Sequence, residues 1–167
     1  MKTQKLLVIV AISCLLLGVS SGAAMAELNG CGDGVLKDET FNNGLRITGD
    51  EPCVIIGSTI QGDIRAINLP YVLFMNNRVG GIIRVDGNAG EGVANVIANT
   101  VLGDKIVVRD NEVAYVLEND VVTGDIIVKF NIKAFVQKNI AAQDIRCREN
   151  TNLDALLNLA GGVNTCN

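Results

Sequence analysis

Seven cations recur in phase along this chain, and their type suits them to holding anions. Arg46, Arg65 and Arg84 are 19 residues apart, Arg146 falls in the same phase, and Arg109, Lys129 and Arg148 follow in a phase two positions later. Guanidinium groups present a planar fork of N–H donors that matches carboxylate, sulfate and phosphate oxygens. A row of them along one face would form a groove for an anionic polymer, such as an acidic polysaccharide or a lipopolysaccharide. Asp63, Asp125 and Asp144 run beside the same rows, so the competing reading is a solvated face whose charges offset one another. Catalytic chemistry has few carriers. The chain has no His, which removes the commonest general base and the usual Ser–His and Cys–His nucleophile pairs. The Gly-rich stretch 87–92 is followed by no helical pattern and reads as a bend rather than a phosphate cradle.

The element that must position these cations is a coil of about 20 residues. Leu45, Ile64, Ile83, Ile106, Ile126 and Ile145 form one apolar column with steps of 19, 19, 23, 20 and 19 residues. A second column, two positions later, holds Ile47, Ala66, Val85, Val108, Val128 and Cys147. Such a period marks a stacked solenoid, and alternation of period two rich in Ile and Val marks strands. Another strand repeats in register with Val72, Ala94, Ala114 and Ala134 in one column and Phe74, Val96, Val116 and Val136 in the next. Each coil therefore carries at least two short parallel strands, and stacking sets equivalent residues about 4.8 Å apart. Asn77, Asn99, Asn119 and Asn139 then form a ladder at a turn, where stacked amides satisfy one another and the backbone.

With the aliphatic columns inward, the seven cations point outward together with Lys105. That face holds eight of the twelve Lys and Arg beyond residue 26, in a chain whose overall charge is negative. The outward rows of the second strand include Leu73, Met75, Ile97, Tyr115, Leu117 and Phe135. Contiguous exposed apolar side chains mark an interface, here with a second copy or an envelope protein; the rival readings are that the caps cover this side or that the inner and outer rows of this strand are exchanged.

The ends differ from the middle. Residues 1–26 have Lys2 and Lys5 before an apolar run from Leu6 to Leu17 and a small-x-small site at Ala24–Ala26, the layout of a cleavable signal peptide; lipidation at Cys14 is the rival. No other segment is long and apolar enough to span a membrane. The whole chain has a formal charge of −4, and loss of the two lysines makes it more acidic, which argues against nucleic acid as a partner. Two Tyr, four Phe and no Trp offer little stacking surface for bases. Four cysteines remain, Cys31, Cys53, Cys147 and Cys166. An even count in an exported chain reads as disulfides. Of three pairings, Cys31–Cys53 and Cys147–Cys166 are favoured because each brackets one end of the array. The absence of CxxC and His argues against zinc or another bound metal, and no cofactor motif is present. The divisions are a cap with the first coil over 27–53, β-helix repeats over 54–146 and a cap over 147–167, in which 153–159 form either a short helix or a last coil.

Cys31, Gly44-Leu45-Arg46-Ile47, Cys53, Gly62-Asp63-Ile64, Gly124-Asp125-Ile126, Gln143-Asp144-Ile145-Arg146-Cys147, Asn150 and Cys166 together resemble the small exported right-handed parallel β-helix proteins of bacteria, a group largely without assigned function. The resemblance implies an all-β, right-handed parallel β-helix of about 5–7 short coils with disulfide-bonded caps, and it carries over no active site. Coil length alone is similar to polymer-forming bactofilins, but the export signal counts against a cytoskeletal role. The expected function is non-catalytic: binding or assembly at the cell envelope, in the periplasm or outside. The enzyme alternative is a calcium-assisted polysaccharide lyase, since some β-helix lyases use Asp-bound calcium and an Arg or Lys base. That likeness is one of fold class, which does not confer function. Ice binding lacks the Thr-x-Thr rows it would need.

Overall fold

The computed structural model describes residues 24–31, 34–87 and 91–166. Its strands close into three parallel seven-stranded sheets, each built from one strand per turn, giving a solenoid of seven turns. The first sheet contains Ala26–Asn29, Leu45–Thr48, Ile64–Ile67, Ile83–Asp86, Lys105–Arg109, Asp125–Lys129 and Ile145–Arg148. The second contains Val35–Lys37, Cys53–Ile56, Tyr71–Met75, Val93–Ile97, Val113–Leu117, Lys133–Gln137 and Asn152–Leu156. A third, which the period-two alternation did not reveal, is made of two-residue strands such as Thr59–Ile60 and Asp120–Val121. No helix occurs among the described residues, and none there is long and apolar enough to cross a membrane.

Register follows the apolar columns. Leu45 pairs with Ile64, Ile64 with Ile83, Ile83 with Ile106, Ile106 with Ile126, and Ile126 with Ile145. All six are fully buried, as are Ala94, Ala114, Phe74, Val96, Val116 and Val136 of the second sheet. The third sheet adds Ile60, Val79, Val101 and Val121 to the same axis. Branched side chains stacked at the interstrand spacing fill this narrow interior, and a one-residue slip of any strand would turn its aliphatic row out to water.

Two corners of nearly every turn use a left-handed residue. One column is Asp38, Gly57, Asn76, Ala98, Glu118, Lys138 and Leu157; the other includes Gly49, Asn68, Asp110, Phe130 and Glu149. A buried polar side chain follows the first corner: Ser58, Asn77, Asn99, Asn119, Asn139 and Asn158. Each of the four expected ladder residues donates its backbone N–H to the side-chain oxygen of the next, at 3.0–3.1 Å. Glycine is required where turns approach most closely. A Cβ on Gly124 would run into the Asp104 carbonyl.

The ends resolve the remaining expectations. Disulfides join Cys31 to Cys53 and Cys147 to Cys166. Residues 153–159 belong to a last coil, with strands Asn152–Leu156 and Leu159–Ala160. Residues 163–166 then run back over the first sheet, where Asn164 bridges Ile145. Ala26, expected to fall outside the fold, pairs with Leu45 in the first strand, because its backbone continues the ladder that Glu27–Asn29 form. The expected leader up to residue 23, including Cys14, lies outside the described residues.

Candidate functional site

The first sheet brings the predicted cations onto one outer face. Its register stacks Arg46 on Arg65 and Arg65 on Arg84, and in a parallel row Asp86 on Arg109, Arg109 on Lys129 and Lys129 on Arg148. Arg146 stacks on Ile127. Strand alternation places all of these opposite the buried aliphatic columns, as the period required.

Neighbouring carboxylates neutralise most of the face. Arg65 pairs with Asp63 at 2.9 Å, Arg84 with Asp86 at 2.7 Å, Arg109 with the other oxygen of Asp86 at 2.5 Å, Lys105 with Asp104 at 2.5 Å, and Arg146 with Asp144. Burial alone would push the Asp86 carboxyl up. Hydrogen bonds from Arg109 and Arg84, and then their charges, outweigh burial and hold it below the ordinary carboxylate value. The hydrogen bond to Asp86 in turn raises the Arg109 guanidinium. Asp144 is held low first by the Val163 N–H and then by Arg146. Among the described residues, Arg46, Lys129 and Arg148 are the cations of this face with no carboxylate within 4.0 Å.

The aspartates also staple turns together, a role the sequence reading did not assign them. Asp63 Oδ1 accepts the Ile82 N–H at 3.0 Å, Asp125 Oδ1 that of Asp144 at 2.9 Å, and Asp144 Oδ1 that of Val163 at 2.6 Å. The recurring Gly-Asp-Ile thus has a mechanical meaning: a close turn, a carboxylate for the next coil's N–H, and a core residue. A second amide ladder was likewise missed. Asn111 donates its N–H to Asn131 and Asn131 to Asn150 at the corner after the first sheet. Its spacing of 20 and 19 residues was the available signal.

The outer face of the second sheet is almost free of charge through its middle. One row stacks Val54, Leu73, Asn95, Tyr115 and Phe135; the next stacks Ile56, Met75, Ile97 and Leu117, then Gln137. Tyr71, Val93 and Val113 line the other edge, followed by the exposed Lys133 in the fifth coil. The expected outward residues Leu73, Met75, Ile97, Tyr115, Leu117 and Phe135 are all half-buried by one another, with the Ala, Phe and Val columns beneath them. Tyr115 and Phe135 stack with ring centroids 4.8 Å apart and planes 7° apart. Asn95, the one polar member, spends its amide on the Val72 carbonyl at 3.1 Å. Five coils by about five residues span about 400 Å² in projection.

The described residues contain no group of three or more Asp, Glu or Cys side chains arranged to hold a metal ion. Compared with known protein families, curated proteins and solved structures, the chain matches none. Its two faces must therefore speak for themselves.

Proposed function

We propose that this protein is an exported, non-catalytic β-helix that works at the cell envelope by docking, and that the uncharged outer face of its second sheet is the docking surface. That face carries the reading. It is contiguous and, at about 400 Å² in projection, matches the largest apolar patch of a typical soluble protein, which is often functional, and a second sheet could pack on it about 10 Å away. The last coil extends the apolar surface. Leu156 is exposed and continues the Leu117–Gln137 row, while Asp154 follows Phe135 in the neighbouring row and Leu153 covers the end of the Ala134 core column. Export is supported by the leader-like residues 1–26 and by two disulfides, which persist in oxidising compartments.

Sedimentation of the oxidised protein, with and without Leu73→Lys and Leu117→Lys together, tests the docking face. The expected result is a concentration-dependent dimer that the double variant abolishes. A wild-type monomer at millimolar concentration, coupled with no enrichment of envelope proteins over the double variant, sinks the proposal. A second reading is contact with an anionic polysaccharide through the first sheet, and what favours it is the pair Lys129 and Arg148, stacked and without carboxylate partners. The enzyme alternative, a calcium-assisted lyase, predicts turnover of uronate polymers that depends on added calcium.

A further inference from the structure

Of the three cations left without partners, Arg46 stands alone on the second strand of the first sheet and the other two lie together at its far end. Lys129 and Arg148 sit side by side on its last two strands, and with Arg146, Ile127, Phe130 and Glu149 they line one shallow cleft. Upstream, the same row solves the problem of stacked like charges by placing Asp86 under Arg109. Here it does not, and stacked like charges one interstrand spacing apart repel. Asp144 cannot relieve them: one of its oxygens takes the Val163 N–H and the other takes Arg146. Counting Lys129, Arg146 and Arg148 against Asp144 and Glu149 leaves one net positive charge, the complement of a single anionic group.

The cleft also has an aromatic rim. Asn68, Asp110 and Glu149 occupy the left-handed corner after the first sheet, and at the equivalent position stands Phe130, with φ of 58°. Asn and Asp tolerate this conformation, whereas a phenylalanine adopts it at a cost. The corner leaves the ring 41% exposed at the rim, with Lys129 Nζ 5.1 Å from its centroid.

We infer that this cleft is the binding site for one acidic sugar residue, its carboxylate, sulfate or phosphate held by Lys129, Arg148 and the outer edge of Arg146 while an apolar face of the ring lies on Phe130 and Ile127. The inference rests on the polysaccharide reading and narrows it from a long stripe to a single point of contact near the C-terminal end. The other arginines, Arg65, Arg84 and Arg109, then serve the sheet itself through their aspartates.

The oxidised full-length chain is titrated with glucuronate, sulfated glucosamine and glucose phosphate, with glucose as the neutral control, while amide and guanidinium NMR shifts are followed. The expected result is saturable shifts at Lys129, Phe130 and Arg148 with at least one acidic sugar and none with glucose; the best of the three identifies the anion. Lys129→Gln with Arg148→Gln should weaken binding by roughly tenfold or more, the loss of two charge-assisted hydrogen bonds at an exposed site. Phe130→Asn, which suits the corner, should weaken it without changing the circular dichroism, and Arg65→Gln should leave it unchanged. Equal weakening by Arg65→Gln, or shifts spread evenly over Arg46, Arg65 and Arg84, would overturn the cleft while leaving the polysaccharide reading intact, as would retention on heparin lost only with those three arginines. Binding to neither acidic sugars nor heparin overturns both, and binding to anionic vesicles alone replaces the sugar with a lipid surface.

Discussion

Asn119→Ala is the sharpest test of how the turns are held in register. Asn119 Oδ1 accepts the Asn99 N–H at 3.0 Å and the Asn99 Nδ2–H at 3.1 Å, and its own Nδ2 donates to the Val96 carbonyl at 2.7 Å and to Asn139 Oδ1 at 3.0 Å. Truncation leaves two donors of Asn99 and one carbonyl without these partners at a corner where Asn99 is 1% exposed. Asn139 Oδ1 keeps the Asn119 backbone N–H, so it is not orphaned. A buried unpaired group costs about 1–3 kcal/mol, so with three of them the variant should lose about 3–9 kcal/mol, a large share of a typical total of about 5–15 kcal/mol. Asn158→Ala is the internal control. It is the last ladder residue of the described turns, its Oδ1 accepting the Asn139 N–H and Nδ2–H, so truncation opens those groups to water at the end of the stack and a smaller loss, about 1 kcal/mol, is expected. The readout is the urea midpoint by circular dichroism at constant slope. Equal losses for the two variants, or less than about 1 kcal/mol for Asn119→Ala, would refute the claim that buried amides tie one turn to the next.

Two other perturbations follow from the same geometry. Because the Asp86 carboxyl is depressed in the folded chain, its contribution to stability is present above the ordinary carboxylate pKa and lost as pH falls through that value toward the folded one. Stability should therefore drop below about pH 4, and Asp86→Asn should flatten that part of the profile; an unchanged slope removes Asp86 from the account. Gly124→Ala forces a Cβ against the Asp104 backbone carbonyl and should destabilise by about 1–3 kcal/mol, as overpacking does. An unshifted thermal midpoint would mean that the turns separate there at no cost.

The parts of the molecule that were legible in the sequence are those written by period-two alternation over four or more residues. Leu45 to Thr48 and its successors announce their buried faces, and so do Tyr71 to Met75 and theirs, because each aliphatic column must meet its like in the next turn. The third sheet stayed hidden, although Ile60, Val79, Val101 and Val121 also recur, because a strand of two residues has no alternation to read. The arginine rows were placed on the correct face, but their neutralisation was only half visible. Asp63–Arg65, Arg84–Asp86 and Asp144–Arg146 are i, i+2 pairs and so share a side of a strand. The bond from Arg109 to Asp86 crosses between strands of different turns, and its register depended on the long step between Ile83 and Ile106. The stapling aspartates were hidden for another reason: an acceptor's role depends on where the neighbouring turn aims its N–H.

A solenoid stacked in register makes each surface row repeat its own chemistry, and this sorts rows that stabilise the fold from rows that need something else. A row alternating Arg and Asp satisfies itself, as at Arg84, Asp86 and Arg109, and its presence is explained by the sheet. A buried Asn row satisfies itself in the same way. Two kinds of row do not close on themselves. Lys129 on Arg148 repeats a charge with no carboxylate within 4.0 Å among the described residues, and the Leu73 to Phe135 row, Asn95 apart, repeats half-buried apolar surface. Both are unfavourable in the isolated protein, and both are easily removed by single polar or acidic substitutions that the outer face would tolerate. On the functions proposed above, their partners come from outside the chain, an anion for the first and an apolar surface for the second. Because they lie on different sheets, the two proposals together predict that engaging one face leaves the other free, so that an acidic sugar and a second copy or envelope protein would bind at the same time.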